Sequence, residues 1–343
     1  MPPNLGSGPP EGKSAGSLWH RAGMGCRGRY APSPTGSIHL GNASTALLAW
    51  LAARAEGGTF VLRMEDLDRP RVVPGAAGKI LADLAWMGID WDEGPDVGGH
   101  RGPYEQSRRG DLYTTAFERL FEAGAIYPCF CSRRDIAVAA SAPQAPGDEA
   151  RYPGTCLRLD AADVARRLRE RRPHAWRFRV SSGNVRGFSD VARGDIEPDP
   201  AGLGDFVVRR ADGVPAYQLA VVVDDHAMGI EEVVRGEDLL LSTFRQLLLY
   251  DALGVPSPRF GHVPLLHGDD GARLSKRHDG VTLEQLRAGG MSAREVVGKL
   301  AFLLGLRAAP APAAPRELVD GFYLAALRRI PGGLVVSSVF GGT

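Results

Sequence analysis

Residues 29–42 read RYAPSPTGSIHLGN, and more than two hundred residues later residues 272–276 read ARLSK. The first segment is rich in proline and glycine, which favour extended backbone and turns that let a ligand approach closely. An alanine- and leucine-rich stretch follows and predicts a helix over 43–54. The second segment places Lys276 in a polar loop. Together the two segments predict a site that holds nucleotide phosphates from two sides.

The start of the predicted helix is suited to an anion. Asn42 or Ser44 can cap it with a side-chain oxygen, and the free N–H groups of its first turn attract phosphate. His39, just before the helix, can donate a hydrogen bond to a phosphate oxygen. Taken alone, this segment is explained equally well by an ordinary strand–turn–helix corner with a capping asparagine.

The two segments together resemble the HIGH and KMSKS signatures of class I aminoacyl-tRNA synthetases, in the form found in the glutamate and glutamine group. In the first signature Asn42 replaces the last histidine, at a position that varies within this group. In the second, Arg273 and Leu274 replace lysine and methionine. The resemblance implies an ATP site, with Mg²⁺ accompanying the ATP, formed by His39, Gly41, Asn42 and Lys276. It also implies that His39 and Lys276 are the catalytic residues, which stabilise the phosphates.

Composition bounds the function without naming it. The chain has 343 residues, 44% hydrophobic and 24% charged, and a formal net charge of +1. This is enough chain for two or three packed units, and it excludes a global basic excess, so an RNA partner would use a local patch. No run of about 18 apolar residues predicts a membrane span. We therefore expect a cytoplasmic protein, and nothing in the sequence indicates more than a monomer.

Three of the four cysteines lie close together in the sequence, whereas Cys26 is expected to be an unpaired thiol. Cys129 and Cys131 are separated by one residue, and Cys156 follows a loop rich in proline and alanine. Without an export signal, metal ligation is favoured over disulfides. Structural zinc takes four tetrahedral ligands, so a fourth is needed. Tyr152 is a candidate, but on spacing alone a packed tyrosine, with water or another side chain completing the shell, is favoured.

The fourth ligand is where a narrower resemblance enters. The pattern Cys-x-Cys followed by Tyr-x-x-x-Cys is similar to the zinc site of the glutamyl-Q tRNA(Asp) synthetases, which are shortened relatives of the glutamyl-tRNA synthetases. The resemblance implies one structural zinc ion bound by Cys129, Cys131, Tyr152 and Cys156. The loop at 141–150 lengthens the gap between the two pairs, which costs little loop-closure entropy and does not exclude the site.

Carboxylates follow a predicted strand in the first third of the chain. Residues 60–64 are apolar and predict a strand, after which come Glu65, Asp66 and Asp68. In parallel α/β sheets ligands bind at the carboxyl ends of strands. The alternative is a solvated turn in which these carboxylates pair with neighbouring arginines.

A second apolar run precedes another acidic cluster. Residues 217–223 predict a buried parallel strand, and residues 232–235 a short one. The residues after the first run invite a metal or acid–base interpretation, but we expect a structural role, with nucleotide hydroxyl contacts as a further option, for Asp224, Asp225 and His226. Ser242 or Thr243 is expected to cap the helix that follows.

The resemblance extends to the amino-acid site. It implies a glutamate site formed by Arg29, Tyr30, Ala31, Pro32, Ser33, Glu65, Tyr217 and Arg235. In the family the carboxylate that corresponds to Glu65 holds the substrate's amino group. Arg29 and Arg235 are the candidates for clamping the side-chain carboxylate, because an arginine can donate two hydrogen bonds to it. An amide lacks two equivalent acceptors, which would explain rejection of glutamine.

The implied fold is α/β, with a doubly wound, parallel, Rossmann-like sheet, a zinc-bearing insertion and a small C-terminal helical piece. Only about 67 residues follow Lys276, so no anticodon-binding domain is expected. Helices are expected within 281–306, and one last helix within 315–330. The expected ranges are a disordered leader at 1–25 (Met24 being an alternative start), catalytic halves at 26–128 and 206–267, the insertion at 129–205, a loop and helical piece at 268–330, and a tail at 331–343.

The implied reaction has two steps. ATP and L-glutamate give glutamyl-adenylate and pyrophosphate, and a hydroxyl group of queuosine at the wobble position of tRNA(Asp) then attacks the activated carbonyl. Basic residues of the insertion either contact phosphates or form a solvated surface: Arg133, Arg134, Arg158, Arg166 and Arg167.

Two alternatives remain. One is a compact glutamyl-tRNA synthetase that charges a tRNA 3′ end, against which stand Tyr152 and the short C-terminal part. The other is a non-catalytic RNA-binding paralogue, against which stand the intact motif residues His39, Glu65, Arg235 and Lys276.

Overall fold

The computed structural model describes residues 25–132, 134–136, 152–199, 202–268, 281–329 and 334–340. The leader expected at 1–25, apart from residue 25, lies outside these ranges, as do Arg133, the loop at 141–150 and the segment 269–280 that carries Lys276. Within the described ranges no helix is long and apolar enough to cross a membrane.

The described residues alternate between strands and helices. In chain order the strands are β1 (Gly28–Tyr30), β2 (Phe60–Leu62), β3 (Ile126–Cys129), β4 (Ala175–Phe178), β5 (Phe188–Asp190), β6 (Gly194–Ile196), β7 (Phe206–Arg209), β8 (Glu232–Gly236), β9 (Arg259–Val263), β10 (Leu266–His267) and β11 (Leu334–Val335). The helices are α1 (Leu40–Ala55), α2 (Ala76–Met87), α3 (Gly110–Glu122), α4 (Ala161–Arg169), α5 (Tyr217–Ala227), α6 (Leu240–Leu253), α7 (Leu283–Ala288), α8 (Ala293–Leu303) and α9 (Ser337–Phe340).

Six strands form the main sheet in the order β2–β1–β8–β9–β5–β6. Neighbours pair in parallel, except β5 with β6. In this register Arg29 lies opposite Val61, and Arg235 lies opposite His262. Because β1 lies between β2 and β8, the carboxyl ends of these three strands meet at one edge of the sheet.

Helices cover both faces of this sheet, which confirms the predicted α/β fold. On β2, Phe60 and Leu62 join the core formed with α1, α2 and α8, whereas Val61 joins the core formed with α3, α5 and α6. On β8, Val234 and Val233 divide in the same way. Successive side chains of a strand point to opposite faces, so apolar residues at consecutive positions are the mark of a sheet buried on both sides.

A smaller antiparallel sheet, β3–β4–β7, carries the first two clustered cysteines at its edge. Its strands do not follow the expected division of the chain. Strands β5 and β6 lie within 129–205 but pair into the main sheet, and β7 lies within 206–267 but pairs with β4. The division into two catalytic halves and an insertion stays a prediction. Strands from the expected insertion pair with strands from the expected catalytic halves.

The strand predicted at 217–223 is wrong, because these residues form the first two turns of α5. Three consecutive valines favour a strand by propensity. However, a short apolar run cannot be told from a buried helix by periodicity alone, and here residues 218–225 are all buried. Asp224 and Asp225 therefore lie within a buried helix and not after a strand.

Several predicted boundaries also move. Helix α1 begins at Leu40 with His39 as its N-cap, not with Asn42 or Ser44. Helix α6 begins at Leu240 after a short 3₁₀ turn, so Ser242 and Thr243 lie inside its first turn instead of capping it. Strand β2 ends at Leu62, two residues before the predicted end at 64. Strand β8 was predicted correctly.

Of the helices predicted in the C-terminal part, only those of its first half are found among the described residues. Helices α7 and α8 lie within 281–306 as predicted, and each begins with a capping box, built by Thr282 with Gln285 and by Ser292 with Glu295. The single last helix predicted over 315–330 is wrong. Two 3₁₀ turns, Pro315–Leu318 and Leu324–Arg329, take its place, separated by Gly321 with a φ of 77°. A left-handed residue ends a helix.

Candidate functional site

His39 ends the first motif and caps α1. Its Nδ1 accepts a hydrogen bond from the Asn42 N–H at 3.3 Å, and the ring is buried. A ring nitrogen that accepts carries no proton, so the neutral imidazole holds its proton on Nε2, which can donate to a phosphate oxygen. A Cβ at Gly41 would lie 3.1 Å from this ring, so glycine leaves room for the imidazole to fold back over the helix start.

The chain that follows the second motif is joined to the first motif by backbone hydrogen bonds. Leu40 N–H donates to Val281 O at 3.1 Å, and Leu283 N–H donates to Ile38 O at 2.9 Å. Lys276 itself lies outside the described residues. It precedes Val281 by five residues, which span at most about 18 Å of extended chain. The described chain therefore resumes, after the second motif, next to the segment that contains His39.

The ends of β1 and β2 bring the predicted arginine and glutamate together. Arg63 N–H donates to Tyr30 O at 3.0 Å, and Glu65 N–H donates to Pro32 O at 2.9 Å. The chain after β2 therefore runs beside the proline-rich segment that continues β1. Along that segment Tyr30 and Pro32 are buried, Ala31 is half-buried and Ser33 is exposed.

Arg63 joins the predicted glutamate to α5. It is fully buried, and its Nη1 and Nη2 donate to Asp225 Oδ1 at 2.6 Å and to Glu65 Oε1 at 3.1 Å. Arg29 Nε reaches the same Asp225 oxygen at 3.4 Å. Burial raises the pKa of Glu65, and the charges of Arg63 and Arg29 oppose this shift. A further positive charge next to Glu65 would stabilise its ionised form.

Asp224 is occupied by interactions within the protein. Its oxygens accept hydrogen bonds from Arg109 Nε at 2.6 Å, Gln106 Nε2 at 2.7 Å and Tyr113 Oη at 2.9 Å, and no part of the residue is exposed. This carboxylate ties α5 to α3 and the turn before it. His226, in contrast, is exposed. Because Asp224 is buried and His226 is exposed, the two residues do not form an acid–base pair.

Tyr217 and Arg235 lie close to Glu65 and Arg29, and the region between these four residues is called the cleft below. Tyr217 is the first residue of α5, and 39% of its surface is exposed. Burial raises the pKa of its phenol. The positive charge of Arg235 lowers this pKa, and the negative charge of Glu65 raises it. These charges act on the ring because they surround it. The structure thus brings together Arg29, Glu65, Tyr217 and Arg235.

Several buried polar atoms around these residues have no hydrogen-bond partner among the described residues. They include Arg63 Nε and Tyr250 Oη and, as one donor and one acceptor, Arg235 Nη1 and Asp225 Oδ2. A buried donor or acceptor without a partner costs about 1–3 kcal/mol. One donor of a guanidinium and one oxygen of a carboxylate are therefore left for a ligand that carries both an anionic and a cationic group.

Sequence reasoning missed the residues behind Arg235. Its Nε donates to His262 Nε2 at 3.1 Å, and its Nη2 donates to Thr243 Oγ1 at 2.8 Å. Tyr250, from the same helix as Thr243, is buried with an unpartnered hydroxyl. These side chains come from β9 and α6 and match no local motif, so only the register of β8 against β9 could have indicated His262.

The three clustered cysteines form a candidate metal centre. The sulfur atoms of Cys129, Cys131 and Cys156 lie within 4.8 Å of one another, and those of Cys131 and Cys156 are 3.5 Å apart. Tyr152 Oη lies 3.9 Å from Cys131 Sγ. Tetrahedral ligands at about 2.3 Å from zinc are about 3.8 Å apart, so the spacing fits a zinc ion.

The surroundings of the cluster suit thiolates bound to a cation. Cys156 Sγ accepts a hydrogen bond from Phe130 N–H at 3.3 Å, and the oxygen of Tyr152 accepts one from Cys156 N–H at 2.7 Å. Burial raises the pKa of Cys131 to about 12, so a cation is needed to keep its sulfur ionised at neutral pH. Cys26 is a buried free thiol in another part of the chain, as predicted.

The arginines proposed to contact phosphates are partly used within the protein. Arg166 forms ion pairs with Asp163 and Glu170, at 2.9 and 3.0 Å, along the exposed face of α4. Arg167 lies over the ring of Phe130, with Cζ 5.5 Å from its centre. A phosphate-binding role for this surface stays a prediction.

Comparison with protein families identifies one match. Residues 26–318 match the model described as tRNA synthetases class I (E and Q), catalytic domain. This range includes both motifs, the cleft and the cysteine cluster.

Individual proteins give similar results. The chain is 52% identical over 320 residues to a protein named glutamyl-Q tRNA(Asp) synthetase from Symbiobacterium thermophilum, covering 92% of this chain and 99% of the relative. It is 47% identical over 278 residues to glutamate–tRNA ligase 1 of Halorhodospira halophila, covering 81% of this chain and 58% of that protein. The crystal structure of glutamate–tRNA synthetase from Elizabethkingia anophelis superposes with a TM-score of 0.80 at 31% identity, over 91% of this chain and 68% of that one.

Proposed function

The chain belongs to the class I tRNA synthetase family for glutamate and glutamine, and from this premise we propose that it activates L-glutamate with ATP and transfers it to queuosine at the wobble position of tRNA(Asp). The family is one of ligases. The glutamyl group would be carried on an adenylate between the two steps. Because its proposed substrate is a tRNA, we propose that the enzyme acts in the cytoplasm. We also propose that it is a monomer.

The observation that carries the choice of amino acid is the pair of unpartnered atoms in the cleft. Arg235 Nη1 offers a hydrogen bond to a carboxylate, and Asp225 Oδ2 and Glu65 offer negative charge to an ammonium group. Glutamate carries both groups. Arg29 on β1 lies beside Asp225, and Arg235 lies on β8. The guanidinium groups of these two arginines would attract the anionic side chain of the substrate.

The same cleft disfavours glutamine. The amide of glutamine has one acceptor oxygen and an NH₂ group, and the NH₂ would face the N–H groups of a buried guanidinium. A site built to hydrogen-bond one substrate group rejects an analogue that lacks it by about 10⁴- to 10⁵-fold. Glutamine should therefore be activated very poorly, even at high concentration.

Catalysis in the first step would come from orientation and from charge stabilisation of the phosphates. The α-carboxylate of the amino acid would attack the α-phosphorus of ATP, and pyrophosphate would leave. Mg²⁺ bound with the ATP would supply positive charge to the phosphates. His39 would donate from Nε2 to a phosphate oxygen, and Lys276 would stabilise the leaving phosphates. Gly41 and Asn42, in the first turn of α1, would bind ATP through the helix start.

The choice of acceptor is supported by two observations. The chain is 52% identical to the relative named glutamyl-Q tRNA(Asp) synthetase and 47% identical to the named glutamate–tRNA ligase. The cluster of three cysteines and Tyr152 matches the pattern of the short family. The competing acceptor is the 3′ end of a tRNA.

The acceptor is tested by transferring labelled glutamate to purified tRNA(Asp), with and without queuosine, and to tRNA(Glu). We expect label only on tRNA(Asp) that contains queuosine, and we expect ATP–pyrophosphate exchange without any tRNA. Lys276→Ala should reduce both activities below detection. Label at the 3′ end of tRNA(Glu) would make the protein a compact glutamyl-tRNA synthetase. Equal activity of wild type and Lys276→Ala, or none in either, would contradict the catalytic role.

We further propose that Cys129, Cys131, Tyr152 and Cys156 bind one structural zinc ion. Replacing Cys129 with serine removes a thiolate, so metal content measured by atomic emission should fall from about one ion per chain to near zero, and the melting temperature should drop by several degrees, because structural zinc contributes directly to folding.

Two matched variants sharpen this metal prediction. Cys26→Ser replaces a buried thiol outside the cluster and should leave the zinc content unchanged. Tyr152→Phe removes only the hydroxyl and should weaken zinc binding in a chelator competition. Full zinc content in Cys129→Ser would refute the site, and unchanged affinity in Tyr152→Phe would refute the phenolic ligand alone.

A further inference from the structure

A buried chain of hydrogen bonds runs from β5 through β9 to Arg235. Asp190 Oδ2 lies 2.6 Å from His262 Nδ1, and Arg235 Nε donates to His262 Nε2 at 3.1 Å. Asp190 and His262 are fully buried, and Arg235 is 4% exposed. None of these contacts reaches solvent, so the chain is unlike a surface ion pair, and its geometry is set by the main sheet.

The carboxylate at the far end is held rigidly by the backbone. Asp190 Oδ1 accepts hydrogen bonds from Ala192 N–H and Arg193 N–H, both at 2.9 Å, and from His262 N–H at 3.1 Å. A carboxylate oxygen can only accept a hydrogen bond, so the contact of Asp190 Oδ2 with His262 Nδ1 places a proton on that nitrogen.

This arrangement fixes the tautomer of the imidazole. With its proton on Nδ1, neutral His262 presents a lone pair at Nε2, and that lone pair receives the Arg235 Nε–H. Thr243 Oγ1 lies 3.0 Å from the same nitrogen and accepts from Arg235 Nη2. Nε and Nη2 of Arg235 therefore both have acceptors, whereas Nη1 has no partner among the described residues.

An uncharged acceptor next to the guanidinium of Arg235 affects anion binding differently from a carboxylate. A carboxylate beside Arg235 would pair with the guanidinium and reduce its attraction for a second anion. An imidazole holds the guanidinium by a hydrogen bond and adds no negative charge at the contact. The negative charge of Asp190 lies on the other side of His262, further from Arg235.

We propose that His262, with its tautomer set by Asp190, is a positioning and specificity residue that orients Arg235 toward the side-chain carboxylate of the amino-acid substrate. This inference rests on the proposed function, because it names what holds the carboxylate-binding arginine. His262 does not touch the substrate. It acts through Arg235, so its loss should weaken glutamate binding and leave the ATP site, built on α1, unchanged.

The test measures ATP–pyrophosphate exchange with separate titrations of glutamate and ATP. His262→Phe keeps a ring but removes the acceptor, and we expect the KM for glutamate to rise by about 10- to 100-fold, the range for losing a hydrogen bond to a charged group. The KM for ATP should stay within about twofold. His262→Gln supplies an acceptor oxygen near the position of Nε2 and should recover most of the glutamate affinity.

Two further variants separate positioning from folding. Asp190→Asn allows the other tautomer, which would turn an N–H toward the guanidinium, so the KM for glutamate should rise and discrimination against glutamine should fall. His100→Gln, at an exposed position in a turn, should match wild type. Thermal melts of each variant show which of them fold.

The outcomes distinguish this inference from the proposed function. If wild type shows no exchange with glutamate, with or without tRNA, the proposed function fails and the inference falls with it. If wild type is active while folded His262→Phe and Asp190→Asn keep its KM for glutamate, the positioning role is refuted and the function stands. Equal increases in both KM values, without recovery in His262→Gln, would also refute it by indicating a general structural effect.

Discussion

Arg235→Ala is expected to lower glutamate activation by about 30- to 5,000-fold while ATP still binds. The side chain is buried, and its Nη1 is the unpartnered donor that the cleft offers to a carboxylate. Truncating one partner of a buried, hydrogen-bonded charge pair costs about 2–5 kcal/mol or more, and here the substrate's carboxylate would be left without its partner. The loss should appear in kcat/KM for glutamate.

The measurement is ATP–pyrophosphate exchange over a range of glutamate concentrations, with ATP binding followed separately by thermal shift. Arg235→Lys keeps the charge but loses the planar fork, so it should remain well below wild type. Arg186→Ala, which breaks a surface ion pair with Asp251, is the matched control and should be fully active. If folded Arg235→Ala activates glutamate with wild-type kcat/KM, the arginine does not bind the substrate.

The fold was predictable from the sequence wherever the signal was a motif or a strand buried on both faces. The apolar run of β2 and the residues of β8 gave the correct element, because consecutive apolar residues fit a sheet covered on both sides. The run at 217–223 has the same composition but forms a helix. Valine propensity favoured a strand there, and burial on all sides of α5 outweighed it.

The candidate site was predictable only in part, and for a physical reason. Arg29, Glu65 and Arg235 follow from motifs at strand ends, and the structure brings them together beside Tyr217. His262 and Asp190 belong to the same network but lie 72 residues apart in the chain, and each is an ordinary buried strand residue in sequence. Their proximity depends on the order of strands in the main sheet, which local patterns do not encode.

Asp224 also illustrates this limit, because its surroundings give it a structural role that can be tested. Asp224→Ala is expected to lower the free energy of unfolding by about 3–5 kcal/mol. The substitution leaves Arg109 as a buried charge without its partner and removes the acceptor used by Gln106 and Tyr113. With an unfolding entropy of about 2.1 cal/mol/K per residue over 343 residues, this corresponds to a melting temperature lower by roughly 4–7 °C.

Thermal and urea unfolding of Asp224→Ala test this expectation against two comparisons. Asp212→Ala, which removes an exposed partner of Arg210, should change stability by at most about 0.5 kcal/mol. Asp224→Asn keeps one acceptor and should fall between the two. Because Asp224 ties α5 to α3 and does not face the unpartnered atoms of the cleft, folded Asp224→Asn should keep the KM of wild type for glutamate. A wild-type melting temperature with a raised KM would instead assign Asp224 to substrate binding.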